Sequence, residues 1–195
     1  MTMSATTRTL SQFCAVLLLA GCATRNVFDG NLSPAHRIEE EKLVEKARQS
    51  QAPLLDELEA FDVHRSRITL YTIDPNSFHT DDQMKVIPQP AGVPSFHDWK
   101  VLGTREITGE QEKIKLLTAL VRGGRETNGD IAMCFLPRHA LRIAAPSRTV
   151  DIIVCFECRE ALVFGALNGD GFRTSESPAR YFNKIAAKYG LPVAK

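Results

Sequence analysis

The sequence predicts an α+β domain: an antiparallel sheet of about five strands with two main helices on one face, preceded by an N-terminal helical segment. Three observations carry this. The elements follow one another as β-β-α-β-β-β-α, strand beside strand rather than strand alternating with helix. The junctions Pro146-Ser147 and Asn168-Gly169 are turn signals too short for a crossover helix, so the strands they join run antiparallel. Two amphipathic segments have clear starts and stops, and an antiparallel sheet buries one face against such helices.

Residues 33–62 form the helical segment. Ser33-Pro34 supplies an N-cap and a first-turn proline, and the charged run Glu39-Glu40-Glu41-Lys42 leaves only a thin apolar stripe at Ile38, Val44 and Ala47. A second short helix starts at Pro53 and buries Leu54, Leu55, Leu58 and Phe61. The α+β domain occupies 63–195. Its first strand is Ile68–Ile73, stopped by Asp74-Pro75; residues 76–95 are a long proline-rich connection; Trp99, Val101 and Leu102 open a second strand ending near Ile107. Thr108 and Gln111 have capping-box spacing, Ile114, Leu117 and Val121 share a helical face, and Gly123-Gly124 ends that helix. Strands then cover 130–145 and 148–165. The last helix starts at Ser177-Pro178, presents Phe182, Ile185, Ala186 and Tyr189 on one side, and stops at Gly190 and Pro192.

The formal charge of +1, with 24% charged residues, supplies no basic field of the kind nucleic acids attract, and nucleic acid is dropped as a partner. Near the N-terminus, a polar start with Arg8 leads into an apolar run from Phe13 to Ala20, which is export-signal anatomy. That run is too short to span about 30 Å of hydrocarbon, which takes roughly twenty helical residues. The tetrad Leu19-Ala20-Gly21-Cys22 resembles the lipobox of bacterial lipoproteins. The resemblance implies a signal peptide at 1–21, cleavage before Cys22, diacylglycerol on the Cys22 sulfur and acylation, palmitate among the chains, of the new amino terminus. Residues 22–32 then form a flexible tether, and the bilayer is the first partner. Ala23 after the lipid cysteine points to the outer membrane, facing the periplasm, in a Gram-negative host.

Of the five cysteines, Cys14 leaves with the signal and Cys22 is consumed by lipid, so Cys134, Cys155 and Cys158 remain. A two-residue loop at Pro146-Ser147 sets Ile143 opposite Val150, Leu141 opposite Ile152, Arg142 opposite Asp151 and Phe135 opposite Cys158. In this register Cys155 and Cys158 point to opposite faces and Cys134 faces away from Cys158, so no pair bonds. A bulged residue at Pro137 shifts the pairing and brings Cys134 opposite Cys158, permitting a cross-strand disulfide. Otherwise the thiols are reduced, buried and structural. His139 shares the apolar face with Leu141 and Ile143 as a core histidine.

Arg138, His139 and Cys155 form the candidate functional cluster, and Arg138 and Arg142 beside Arg122 and Arg125 a candidate anion patch. The stretch Cys134-Phe135-Leu136-Pro137-Arg138-His139, followed by Cys155-Phe156-Glu157-Cys158, is similar to a domain of uncharacterised bacterial proteins carrying Cys-Phe-x-Pro-Arg-His and Cys-Phe-x-Cys near Trp-Lys-Val-Leu, as at 99–102. The resemblance spans about residues 66–190 and implies no activity.

The expectation is therefore an envelope lipoprotein whose domain is a non-catalytic binding or structural module for envelope proteins or cell wall, with no cofactor besides the Cys22 lipid. The alternative is a thiol-redox or zinc-binding protein using Cys134, His139, Cys155 and Cys158, where a Cys₃His set would hold zinc or the CxxC pair would cycle.

Overall fold

The computed structural model describes residues 34–130, 132, 134–166 and 168–194; Cys22, the signal and the tether fall outside them. In chain order the elements are α1 (Pro34–Glu59), β1 (Arg67–Ile73), β2 (His79–Thr80), β3 (Val86–Ile87), β4 (Ser95–Phe96), β5 (Trp99–Ile107), α2 (Glu110–Arg125), β6 (His139–Ala144), β7 (Thr149–Cys155), β8 (Glu160–Phe164), β9 (Gly171–Arg173) and α3 (Ala179–Lys188). The class is α+β as expected, but the sheet has seven strands rather than about five, in the order β4-β5-β1-β6-β7-β8-β9, with β2 and β3 as a separate ribbon. The additional strands are short pieces. One, β4, is folded out at the end of the proline-rich connection, and the other arises where the expected 148–165 strand breaks into β7 and β8.

The central register is the one read from the hairpin: Ile143 pairs with Val150, Arg142 with Asp151 and Leu141 with Ile152. Strand alternation then sorts the side chains. Ile68, Leu70, Leu141, Ile143, Val150, Ile152 and Val154 face one core, which they share with Leu54, Leu55 and Leu58 of α1, Leu116 and Leu120 of α2, and Phe182 of α3. Ile73, Ala140 and Ile153 face the other side, where the 74–98 connection folds back and packs Phe78 and Phe96 on them beside Trp99 of β5.

Three expectations are corrected. Helix α1 is one helix through Pro53, not two. Pro53 is exposed, so the carbonyl its ring orphans at exposed Gln49 can be hydrated, while burial of Gln51 before it and of Leu54, Leu55 and Leu58 after it holds the helix on both sides. The Thr108 capping box does not form: the N-cap is Gly109 with no side-chain hydrogen bond, and Glu110 and Glu112 in the first turn meet the helix dipole instead. Gly123 and Gly124 do not end α2; they are buried in its last turn.

The glycine pair is there for close approach. A Cβ on Gly123 would lie 2.4 Å from Pro178 and 2.6 Å from Thr174 Oγ1, and one on Gly124 would lie 2.7 Å from Leu55. Gly123→Ala sets a helix-propensity gain of about 1 kcal/mol against an overpacking cost of about 1–3 kcal/mol. Packing should prevail, so thermal denaturation is expected to show a lower Tm for Gly123→Ala; a higher Tm would refute the close-approach explanation.

Candidate functional site

The cysteine cluster is assembled by a turn, not by a strand. β7 ends at Cys155, and residues 156–159 turn before β8 begins at Glu160, with Arg159 at φ 59° closing the reversal. The expected alternation of Cys155 and Cys158 across a strand therefore does not apply. The turn brings both sulfurs to one side, and they are joined as a Cys155–Cys158 disulfide, with Cα atoms 5.1 Å apart. The cross-strand Cys134–Cys158 pairing is thereby corrected, as are three reduced, buried thiols: Cys134 carries a free, exposed thiol. The pairing fails because no β6 strand exists below His139; residues 134–138, buried Pro137 among them, run as irregular backbone.

This segment nonetheless lies against the disulfide. The Ala132 N–H donates to the Cys158 carbonyl at 3.1 Å, and the Leu136 N–H donates to Cys158 Sγ at 3.3 Å. The Cys158 N–H in turn donates to Cys155 Sγ at 3.1 Å. Both disulfide sulfurs belong to residues only 1% exposed.

The remaining members of the expected cluster diverge. Arg138 reaches outward to Glu157 at 2.8 Å and to the Ala194 carbonyl at 3.1 Å. His139, its neighbour in sequence, points into the core between Phe156 and Phe182, with ring centroids 5.8 Å away in each case. Cys155 is committed to its disulfide. A Cys₃His set is not assembled, since two of its sulfurs are bonded to each other and cannot act as thiolate ligands. Among the described residues no group of three His, Cys, Asp or Glu side chains converges as a metal site. The arginine patch disperses as well: Arg122 pairs with Glu126, Arg125 with Asp56 and Glu59, and Arg142 with Asp151.

His139 is the core histidine expected from strand alternation. Burial and then the nearby Arg138 charge push its pKa down to about 4, against a partial upward pull from a hydrogen bond with Asn183. Its Nε2 is buried and finds no partner among the described residues.

The polar cluster on the other face was only half readable. Asp151, nearly buried, accepts Arg142 Nε at 2.7 Å and a second guanidinium nitrogen at 2.6 Å, a bidentate pair. His97 Nε2 lies 2.8 Å from the second Asp151 oxygen. The imidazole stacks on Phe164 at 3.9 Å and meets the edge of Phe96 at 5.0 Å, while the Arg142 guanidinium lies over the Phe96 ring at 5.2 Å. Burial would raise the Asp151 pKa, but the hydrogen bonds from Arg142 and His97 outweigh it and hold the carboxyl below its usual value. Hairpin register announced Arg142 and Asp151. His97, far off in sequence between the 76–95 connection and the Trp99 strand, gave no signal. Chemically, the cluster fixes a cation, an imidazole and aromatic rings rigidly on one sheet face.

Searches of family models, of curated proteins and of solved structures return no match for this chain.

Two pH effects follow. For His139 the folded pKa lies below the unfolded one, so the unfolded chain binds the extra proton and stability falls as pH drops from 6.5 toward about 4. The full loss is on the order of 3 kcal/mol. Urea denaturation across that range should show the decline, and His139→Phe should flatten it; an equally steep decline in the variant would contradict the assignment. For Asp151 the depressed carboxyl contributes stability above its ordinary pKa of 3.8 and loses it as pH falls through the folded value. Asp151→Asn should therefore cost about 1–3 kcal/mol at neutral pH and progressively less in acid, where an undiminished deficit would argue against the charge-based account.

Proposed function

We propose that this chain is an envelope lipoprotein, cut before Cys22 and held on the bilayer by lipid on that sulfur, whose α+β domain is a non-catalytic binding or structural module. The observation that carries the reading is the tetrad Leu19-Ala20-Gly21-Cys22 behind a short apolar run. Several acyl chains, each contributing about 0.8 kcal/mol per buried methylene, anchor firmly where one chain would not. The Cys155–Cys158 disulfide supports the same compartment, because such bonds persist in oxidising envelopes and are rare in reducing cytosol. Among the described residues no helix is long and apolar enough to cross a membrane, so attachment in this reading rests on the lipid.

In a Gram-negative host, Ala23 after the lipid cysteine favours the outer membrane, with the domain facing the periplasm. The binding role draws on the partly exposed side chains of His97, Arg142 and Phe164, which are backed by the buried Phe96 ring. Aromatic and arginine side chains held by internal bonds lose little entropy on contact with a partner, here an envelope protein or a cell-wall component.

Metabolic labelling with radioactive palmitate and membrane fractionation test the anchor. The wild-type chain should carry label and sediment with membranes; Cys22→Ser should lose the label, retain its signal and change fractionation. A wild-type chain without label, released as a soluble protein, would overturn the reading.

A further inference from the structure

We propose that Cys134, Cys155 and Cys158 form a thiol–disulfide exchange site in which the disulfide moves between Cys155–Cys158 and Cys134–Cys158, withdrawing or displaying the surface thiol of Cys134. The inference goes beyond the lipoprotein reading and does not depend on it. It starts from two ties that flank Cys134 in sequence. Both run to Cys158, one to the carbonyl from the Ala132 amide and one to Sγ from the Leu136 amide. Cys134 sits midway between the ties. The 3.3 Å contact at Leu136, added to the at most roughly 6 Å that separates a Cα from the amide nitrogen two residues on, confines the Cys134 Cα to within about 9 Å of Cys158 Sγ.

Access selects the attacking group. Cys155 and Cys158 are each 1% exposed, so dissolved thiols are kept away from the bond, whereas Cys134, two residues before the amide that donates to Cys158 Sγ, is exposed. The Cys134 thiolate attacks Cys158 Sγ. The Cys134–Cys158 bond forms as the Cys155–Cys158 bond breaks, and the electron pair leaves on Cys155 Sγ, where the Cys158 N–H already donates. Cys155 takes up a proton in place of the one Cys134 released. One disulfide and one thiol exist before and after the step, so no outside oxidant or reductant is consumed. The change is in location: a thiol open to partners becomes part of a bond, and the free thiol is now the buried one.

The test uses the full-length protein purified from membranes, held at mildly alkaline pH, quenched in acid to stop exchange, and digested with pepsin in acid for disulfide mapping. The expected result is a Cys134–Cys158-linked peptide beside the Cys155–Cys158 one, on the order of a tenth of the total as suits a minor state. A second arm uses Cys155→Ser, checked for a native circular dichroism spectrum and exposed to oxidised glutathione; here Cys134 and Cys158 should be joined in most molecules. The Cys134–Cys158 link in either arm upholds the proposal. Its absence from both, with Cys155–Cys158 the sole linkage in the wild type, overturns it and leaves the anchor at Cys22 untouched.

Discussion

The fold depends on one amide. Gln51, buried in the middle of α1, accepts the Arg173 N–H at 2.9 Å and donates to the Arg173 carbonyl at 3.0 Å, so its side chain stands in for the missing neighbour of β9. The same nitrogen donates to the Gly124 carbonyl at 2.7 Å. A single side chain thus satisfies an edge strand, which would otherwise be a template for foreign pairing, and the closing turn of α2. Six residues on, Glu57 extends the arrangement. It pairs with Arg148 beside the β6–β7 turn and accepts the Asn168 N–H at 3.1 Å in the β8–β9 loop. The leucines between them supply the burial energy of α1, while these two polar residues determine where on the sheet the helix lies.

Where one periodicity dominated, the sequence could be read closely. Residues 139–144 and 149–152 alternate closely enough that one register sends Leu141, Ile143, Val150 and Ile152 to the helix-covered face and the Arg142–Asp151 pair to the other, and a slip of one residue would exchange them. The same reasoning failed four residues later. Val154-Cys155-Phe156 is uniformly apolar and continues the strand pattern, and the turn that follows is closed by Arg159 in the left-handed region without the glycine or asparagine that usually signals it. With that turn unread, the strand is carried past Cys155 and sets Cys155 and Cys158 on opposite faces, where the turn instead joins them. Gly123-Gly124 misled in another way. Glycine reads as a helix stop, but here it is a contact surface, and only the position of Pro178 and Leu55 distinguishes the two.

The candidate site was legible only where its members were local. Arg142 and Asp151 lie across a hairpin and follow from its register, but His97 reaches Asp151 through a connection that shows no period. The two histidines make the contrast clear. His139 is desolvated on the helix-covered face and held neutral, while His97 sits beside a carboxylate on the other face, backed by aromatic rings. The sheet between them is the rigid element that keeps these two environments apart, and the sheet was the part that simple alternation predicted best.

The β4–β5 hairpin that delivers His97 has a two-residue tip, Phe96 pairing directly with Trp99, and both tip residues have positive φ, 47° at His97 and 69° at Asp98. Such tips favour Asn-Gly, and left-handed backbone costs an ordinary residue roughly 1–2 kcal/mol. A sequence selected for hairpin stability alone would replace the pair and lose the imidazole. The tip therefore sets two selective demands against each other at a single position: mutational drift toward a more robust turn erodes the polar cluster, and keeping the cluster holds the hairpin below the stability its length would allow.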